Sequence, residues 1–232
     1  MGLINKLLFD IDYKLTNLDI DSIVYSDSVI EYPISKVINF DWKKILDPPF
    51  KNSSNKTYKE VIYVQDQSLS HRSFQDRENI LNIDHDPNSG IKALLKQRNL
   101  QFPSAYFEMF YNITKPVMLN IKYLYNRPRP QTIAKIYGIT IDILETETHF
   151  TPSYPSGHTF YTSLAYEISH SLYPSLKHEL KTEVNNTANA RIRQGVHYKS
   201  DNNASIILAK YLFNKLHPLL QKERSWTDFM KY

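Results

Sequence analysis

The chain has 232 residues, of which 41% are hydrophobic and 22% are charged, a composition typical of a globular protein large enough to build a full core. It contains no cysteine, which excludes disulfide bonds, thiolate metal sites and a cysteine nucleophile. The formal net charge of +4 favours an anionic partner, and a small anionic substrate, nucleic acid or a membrane surface would all satisfy it.

The N-terminal residues do not resemble a targeting segment. The apolar run that ends at Asp10 is too short for the core of a secretory signal. Gly2 matches the first position of an N-myristoylation signal, but Lys6 occupies the position at which that signal requires Ser or Thr. No stretch approaches about 18 consecutive uncharged apolar residues, so no transmembrane helix is predicted. The sequence therefore predicts a soluble protein, and the missing signal favours the cytoplasm.

The spacing of apolar residues predicts an all-α protein, a single-domain helical bundle. Residues 1–45 mix short apolar runs with acidic residues and are predicted to form an arm of undefined structure, and 46–232 forms the helical domain. The predicted helices are 58–71 with a continuation through 72–80, then 89–98, 105–125, 157–173, 176–194 and 202–216. Residues 131–154 are predicted to be a connection.

Capping residues and prolines set the expected helix ends. Thr57 is expected to cap the first helix, and Ser200 or Asp201 the last one. Gly195 follows the helix 176–194 as its C-terminal cap, because glycine tolerates the left-handed conformation found there. Pro218 is expected to end the last helix.

A polar stretch with Asp84, His85 and Asp86 could be interpreted as a metal cluster. No further side chains are spaced to complete a ligand set around it. We interpret the stretch as a polar loop before the helix 89–98, and we predict no metal site.

The tetrapeptide Pro155-Ser156-Gly157-His158 opens an apolar helix. The first turn of a helix has backbone N–H groups without intrahelical partners, and the helix dipole makes that end positive. Gly157 would let an anion approach the backbone, and Ser156 adds a hydroxyl donor. His158 places a titratable group at the same point, as the cleavage of a phosphoester requires.

Two further groups of charged residues lie near predicted helix ends. Lys122 lies in the last turn of its helix, and Arg129 follows in a proline-stiffened loop, so both can reach one anion from one side. Arg191 ends another helix, and His197 follows in the turn after it. Asp201 can accept a hydrogen bond from one imidazole nitrogen of His197 and so expose the other nitrogen.

These groups, in this order, resemble the three motifs of the type 2 phosphatidic acid phosphatase and vanadium-dependent haloperoxidase superfamily. The matching residues are Lys122, Arg129 and Pro130 in the first motif, Pro155, Ser156, Gly157 and His158 in the second, and Arg191, His197 and Asp201 in the third. One departure is Ala190, where the family usually has Ser. It removes a supporting hydroxyl but no residue expected to touch phosphate.

The resemblance implies an active site at helix ends and a role for each motif residue. His197 would attack phosphorus and form a phosphohistidine, and Asp201 would orient it. His158 would protonate the leaving alcohol and then activate water. The groups implied to hold the phosphoryl oxygens are Lys122, Arg129, Arg191, the Ser156 hydroxyl and the Gly157 amide. No metal or other cofactor is expected, and vanadate would act as an inhibitor.

Three functions fit the pattern. A metal-independent phosphatase similar to the soluble acid phosphatases is favoured, because the chain is short and no membrane span is predicted. A vanadium-dependent haloperoxidase, with vanadate as cofactor, is the second. A catalytically idle fold that binds nucleic acid or a partner is the third, and the intact set of His158, His197 and Asp201 argues against it. The expected partner is a phosphorylated small molecule. The natural substrate and the oligomeric state are left open.

Overall fold

A computed structural model of the chain describes residues 19–28, 30–69, 73–146, 148–222 and 224–229. The helices in these ranges are α1 (Asn55–Leu69), α2 (Phe74–His85), α3 (Ser89–Gln97), α4 (Ser104–Tyr125), α5 (Pro130–Ile136), α6 (Gly157–Leu172), α7 (Lys177–Arg193), α8 (Lys199–Leu220) and α9 (Arg224–Phe229). These ranges contain no strand, which confirms the predicted all-α fold. The expectations for Gly2, Lys6 and Asp10, and the expected helix end at 71, fall outside the described residues.

Helix α6 lies at the centre of the bundle and packs most extensively against α8 and α7. Phe160, Leu164 and Ile168 follow one another at four-residue intervals along α6, and all three are fully buried. Leu208 and Leu212 show the same interval on the facing side of α8. Side chains four residues apart share one face of a helix, so these two rows form the shared core. The core fixes the N-terminus of α6 beside that of α8.

Helix α4 closes the main core from another side, with buried residues such as Phe110 and Ile121. A smaller core lies beneath α1, where Val61 and Val64 pack together with Ile133 of α5. The two cores flank the loops that follow α4 and α7, and those loops carry the charged motifs.

Helix α1 begins earlier than the sequence suggested. Thr57 lies inside the helix and donates its hydroxyl hydrogen bond to the carbonyl of Lys51 at 2.8 Å. Its backbone N–H donates to the hydroxyl of Ser54 at 3.2 Å. Ser54 therefore performs the capping role that was predicted for Thr57.

Two helices differ from the predicted pattern in the middle of the chain. Residues 74–85 form a separate helix, α2, in which the hydroxyl of Ser73 accepts the N–H of Asp76 as an N-cap. Asp84 and His85 lie in the last turn of α2 and not in a loop. Helix α5 was missed within 131–154, although Pro130 occupies its first turn, where a missing N–H costs nothing.

The last long helix also differs at both ends. Helix α8 begins at Lys199, so Ser200 and Asp201 lie in its first turn and neither is the N-cap. It continues through Pro218 to Leu220, because a proline in the last turn removes few backbone hydrogen bonds. Gly195 does adopt the expected left-handed conformation after α7, with φ of 84°.

Part of the N-terminal arm, including Ser26 and Tyr32, lies against the C-terminal half of α4 and Asn126, which follows it. Asn120 uses its carboxamide to accept the N–H of Tyr32 at 2.7 Å and to donate to the carbonyl of Tyr32 at 2.8 Å. Asn126 forms the same kind of pair with the backbone of Ser26. Ile38 and Leu46 then enter the main core. Two carboxamides thus hold the arm in place, and each of them pairs with both the N–H and the carbonyl of one arm residue.

Among the helices formed by the described residues, none combines the length and the apolar character that a membrane crossing requires.

We expect Asn120→Ala to lower the free energy of unfolding by about 1–3 kcal/mol, because two backbone groups of Tyr32 lose their partner. Urea denaturation of the whole protein measures this change. Asn112→Ala, at an exposed position of the same helix, is the control and should change stability little. Equal stability of the two variants would show that the Asn120 pair contributes nothing.

Candidate functional site

The second motif lies at the N-terminus of α6. Ser156 precedes the helix and is fully buried, and the first intrahelical bond runs from the N–H of Phe160 to its carbonyl. The N–H groups of Gly157 and His158 come before that bond and have no intrahelical acceptor. The Ser156 hydroxyl donates to the hydroxyl of Thr159 at 3.1 Å. The helix start is held rigidly and presents backbone donors.

Lys122 brings the first motif to this helix start. A Cβ atom added to Gly157 would lie 4.0 Å from Cε of Lys122, so the lysine side chain ends beside the glycine. Nζ of Lys122 donates to the carbonyl of Pro152 at 2.6 Å. Burial, together with the charge of Arg129, holds the pKa of Lys122 well below its ordinary value. The surroundings of Lys122 therefore destabilise its protonated form, and a bound anion would stabilise that form.

Arg129 connects the first motif to the third. Its Nε and Nη2 donate to the carbonyl of Thr151 at 2.9 and 2.7 Å. Its Nη1 donates to the carbonyl of Val196 at 2.8 Å and lies 2.9 Å from Nε2 of His197. Burial and the nearby charge of Arg191 lower the pKa of Arg129 to about 10. Arg129 thus stays a cation at neutral pH.

The turn after α7 carries His197 back to Arg129. Gly195 is required in this turn, because its φ is positive and an added Cβ would lie 2.8 Å from Cγ2 of Ile141. Since a guanidinium only donates, Nε2 of His197 must be the acceptor toward Arg129. The proton therefore sits on Nδ1, which donates to Oδ2 of Asp201 at 3.1 Å. Burial and Arg129 hold the pKa of His197 well below its ordinary value, so the ring is neutral with an unprotonated Nε2.

The carboxylate of Asp201 is fully buried, and both of its oxygens accept hydrogen bonds. Arg127 donates to Oδ1 at 2.6 Å, while the Ser153 hydroxyl and the N–H of Tyr198 donate to Oδ2. Burial alone would raise the pKa of Asp201, but the charge of Arg127 and the hydrogen bond from His197 outweigh it. The pKa lies below the ordinary range, and the group stays ionised.

Arg127 is itself held by Glu60 of α1, at 3.0 Å, and its guanidinium lies 3.7 Å from the ring centroid of Tyr198. Glu60 also accepts the N–H and the hydroxyl of Ser200, at 2.6 and 2.8 Å, in the first turn of α8. Arg127 and Glu60 therefore form an outer layer that fixes the residues holding His197.

His158 faces a second carboxylate. Its Nε2 lies 2.9 Å from the carbonyl oxygen of Asp84 and 3.3 Å from Oδ1 of the same residue. Since both atoms accept, Nε2 carries a proton and Nδ1 is the nitrogen that can exchange one. Burial and the charge of Arg191 lower the pKa of His158, and Asp84 partly offsets them.

Asp84 also forms an ion pair with Arg191 of α7. Burial would raise the pKa of Asp84, but the hydrogen bond from His158 and the charge of Arg191 outweigh it, and the pKa lies below the ordinary range. Nη2 of Arg191 donates to the hydroxyl of Thr148 at 3.2 Å. Thr148 thus supplies a hydroxyl to Arg191, next to Ala190, the position at which the family usually has Ser.

The structure brings all eight predicted site residues into one place at the ends of α4, α6 and α7 and the start of α8. Four cations lie within it, all nearly completely buried: Lys122, Arg127, Arg129 and Arg191. The carboxylates of Asp201, Glu60 and Asp84 pair with Arg127 and Arg191. Within the described ranges, Lys122 and Arg129 have no carboxylate partner. A site with two buried cations left uncompensated is built to receive an anion.

The residues of the site differ in their exposure to solvent. The side chain of His197 is 2% exposed, whereas that of His158 is 13% exposed. Gly157, beside His158, is also partly exposed. A cavity of about 860 Å³ lies elsewhere, between α2, α3 and α7, and no predicted site residue lines it. An anion would therefore enter from the His158 side.

Sequence reasoning missed Asp84, Arg127 and Glu60. Arg127 gave a signal, since Arg127-Pro128 directly precedes Arg129-Pro130 and repeats the same dipeptide. Asp84 was noticed only as part of a polar stretch. Glu60 gave no signal at all, because a single carboxylate on an amphipathic helix is indistinguishable from a solvated one.

In the polar stretch that could have been a metal cluster, Asp84 and Asp86 bind basic side chains and the backbone. Asp84 binds Arg191, while Asp86 accepts Nζ of Lys92 at 2.8 Å and the N–H of Asn88 at 3.0 Å. In the part of the chain that the structure describes, no three His, Cys, Asp or Glu side chains converge as metal ligands.

Comparison with known proteins agrees with this geometry. The model of the PAP2 superfamily matches residues 106–225, more than half of the chain. A transmembrane PAP2-type phosphatidylglycerolphosphate phosphatase from Bacillus subtilis has a similar fold, with a TM-score of 0.51 and 16% sequence identity over 74% of this chain and 90% of its own. No curated protein matches the sequence. The matched region contains every predicted motif residue, and Asp84 and Glu60 lie outside it.

We expect inorganic phosphate to stabilise the protein by about 2.7 kcal/mol at a concentration one hundred times its dissociation constant. Lys122→Met should abolish this gain, yet leave the ligand-free protein at least as stable, because it removes an uncompensated buried charge. Chemical denaturation with phosphate, or with chloride at equal ionic strength, measures both effects.

Lys115→Met, on the exposed side of the same helix, is the matched control and should keep the full phosphate effect. If Lys122→Met were stabilised by phosphate as much as the unmodified protein, Lys122 would not belong to the anion site.

Proposed function

Because the chain belongs to the PAP2 superfamily, we propose that it is an acid phosphatase-like enzyme that hydrolyses phosphomonoesters through a phosphohistidine intermediate. The observation that carries the proposal is the surroundings of His197. Its Nε2 is unprotonated and lies 2.9 Å from Arg129, one of two buried cations that lack a carboxylate. A lone pair among uncompensated positive charges suits attack on a phosphoryl group, which brings its own negative charge. The fold neighbour from Bacillus subtilis is named as a phosphatase, which agrees with this reaction class.

In the proposed complex, the side chains of Lys122, Arg129 and Arg191 hold the phosphoryl oxygens. The N–H of Gly157, at the positive end of α6, donates to the same oxygens, and the Ser156 hydroxyl is proposed to turn from Thr159 to join it. Charge-assisted hydrogen bonds contribute roughly 1.5–3 kcal/mol each. They favour catalysis where they strengthen as charge spreads over the equatorial oxygens of the transition state.

In the first step, Nε2 of His197 gives up the hydrogen bond from Arg129 and forms a bond to phosphorus, while the bond from phosphorus to the ester oxygen breaks. His158 gives its proton to that leaving oxygen, and an alcohol departs through the open side. The positive charge that develops on His197 is stabilised by Asp201, which accepts the hydrogen bond from Nδ1.

In the second step, His158 is neutral and takes a proton from a water molecule. The oxygen of that water bonds to phosphorus as the bond to Nε2 of His197 breaks. Inorganic phosphate leaves, His197 regains its lone pair, and His158 is again protonated.

The reaction is proposed to need no metal ion, because three side-chain cations and a helix N-terminus supply the positive charge. A phosphorylated small molecule is the proposed substrate, with its phosphoryl group in the buried pocket and its alcohol part at the opening. Vanadate is a proposed inhibitor, since its five-coordinate form imitates the transition state.

We expect His197→Ala to abolish both turnover and the phosphoenzyme, because it removes the nucleophile. His158→Ala should accumulate the phosphoenzyme with nitrophenyl phosphate, since that leaving group needs little protonation while the second step loses its base. Rapid quenching with labelled substrate in the presence of a chelator, followed by peptide mapping, measures the adduct on His197.

His178→Ala, at an exposed position of α7, is the control and should turn over normally. Three results would each contradict the mechanism: label on Ser156, an active His197→Ala variant, or activity that the chelator removes and a divalent metal restores.

The pH profile tests the role of His158. Because burial and Arg191 lower its pKa, kcat/KM should fall on the alkaline side with a midpoint below the ordinary value of about 6.5. Asp84→Asn removes the group that raises this pKa, so His158 should lose its proton at lower pH and the fall should begin earlier. Rates measured with one aryl phosphate from about pH 4 to 9 give the midpoints of the unmodified protein and of Asp84→Asn. Titration of the substrate affects both proteins equally, so it does not contribute to the difference between the midpoints.

Asp76→Asn changes another ion-paired aspartate of α2 and should leave the midpoint in place. An unchanged midpoint in Asp84→Asn would mean that His158 is not the acid.

A further inference from the structure

We propose that Gln194 is a positioning residue for Arg191. Its neutral carboxamide holds one side of the guanidinium and leaves the opposite edge for the phosphoryl group. The inference rests on the proposed function, because it concerns the same anion site. Gln194 lies within the third motif, between Arg191 and His197, but it is not one of the residues that define that motif.

The hydrogen bonds of Arg191 are unevenly distributed over its three nitrogens. Nη1 donates both to Asp84 and to Oε1 of Gln194, so both of its protons are used. Nη2 donates one bond, to Thr148 at 3.2 Å. Nε is buried and has no partner among the described residues. The free donors are therefore Nε and the remaining proton of Nη2.

These free donors lie on one edge of the guanidinium. The N–H bonds of Nε and Nη2 run nearly parallel, which is the fork that binds two oxygens of a carboxylate or a phosphoryl group. Asp84 and Gln194 occupy the other end. With Asp84 and Gln194 on Nη1 and Thr148 on Nη2, three acceptors hold the guanidinium, and Gln194 supplies one of the two on Nη1.

Gln194 is itself well placed for this task. It is fully buried, three residues after Arg191, where α7 ends. Its backbone carbonyl accepts the N–H of Leu144 at 3.2 Å, which fixes the residue against the loop before α6. Its Nε2 is buried without a partner among the described residues, so Oε1 is the atom through which the side chain acts on Arg191.

The neutrality of Gln194 matters for the charge of the site. Arg191 already pairs with one carboxylate, and the buried cations exceed the carboxylates in the site by only one. A glutamate in place of Gln194 would keep the hydrogen bond to Nη1 but would remove that surplus. A carboxamide orients the arginine and preserves the positive charge that draws phosphate in.

Calorimetric titration with inorganic phosphate tests the inference. Gln194→Met keeps the volume and the charge but removes the acceptor, and should raise the dissociation constant for phosphate about tenfold or more. In an Arg191→Lys background, which has no fork to orient, Gln194→Met should have little further effect. Gln65→Met, which loses a hydrogen bond to Thr140 remote from the motifs, is the control and should bind phosphate normally.

Gln194→Glu serves as a second variant if Gln194→Met does not fold, and should also bind phosphate more weakly because of its added charge. Unchanged phosphate affinity in the Gln194 variants, or an equal loss in both Arg191 backgrounds, would overturn the inference alone. Failure of the unmodified protein to bind phosphate would overturn the anion site of the proposed function as well.

Discussion

The arrangement of the site depends on the carboxylate of Asp201, which stays ionised although it is buried away from water. Asp201 is fully buried, and an isolated charge in that place would cost several kcal/mol. Four donors from three parts of the chain compensate it: Arg127 after α4, Ser153 before α6, and His197 and the N–H of Tyr198 before α8. Because all four donors converge on one carboxylate, the three loops that carry them are held in register. The tautomer of His197 follows from that arrangement.

Around this compensated centre, the protein leaves Lys122 and Arg129 uncompensated. Both donate to backbone carbonyls, Lys122 to Pro152 and Arg129 to Thr151 and Val196, so they are hydrogen-bonded but not neutralised. The tightly packed rows of α6 and α8 stabilise the fold enough to tolerate this. The site thus separates two tasks, since hydrogen bonds fix the geometry and unpaired charge is reserved for a ligand.

The sequence predicted the parts of the site that depend on local spacing. Gly157 opens a helix and Gly195 closes one, and both requirements are visible in a few neighbouring residues. Asp84 and Arg127 could not be assigned, because their partners lie about a hundred and about seventy residues away and no local pattern records such distances. The same reasoning explains the end of α8, where buried neighbours carry the helix past Pro218 against its local preference. Family membership and the all-α fold were predictable; the carboxylates that support the histidines needed the folded chain.

The exposure of His158 at the edge of the site has a consequence for the shape of any ester that fits. Under the proposed function, three of the four oxygens of a bound phosphomonoester would face the start of α6 and the buried side chains of Lys122, Arg129 and Arg191. The fourth oxygen would point outward, and a carbon chain of any length could follow it. An ester with a second organic branch would have to bury that branch among charged groups, where it could neither accept their hydrogen bonds nor reach water. Under the proposed function, the site would discriminate by the number of branches on phosphorus and would be indifferent to the length of the one branch that it admits.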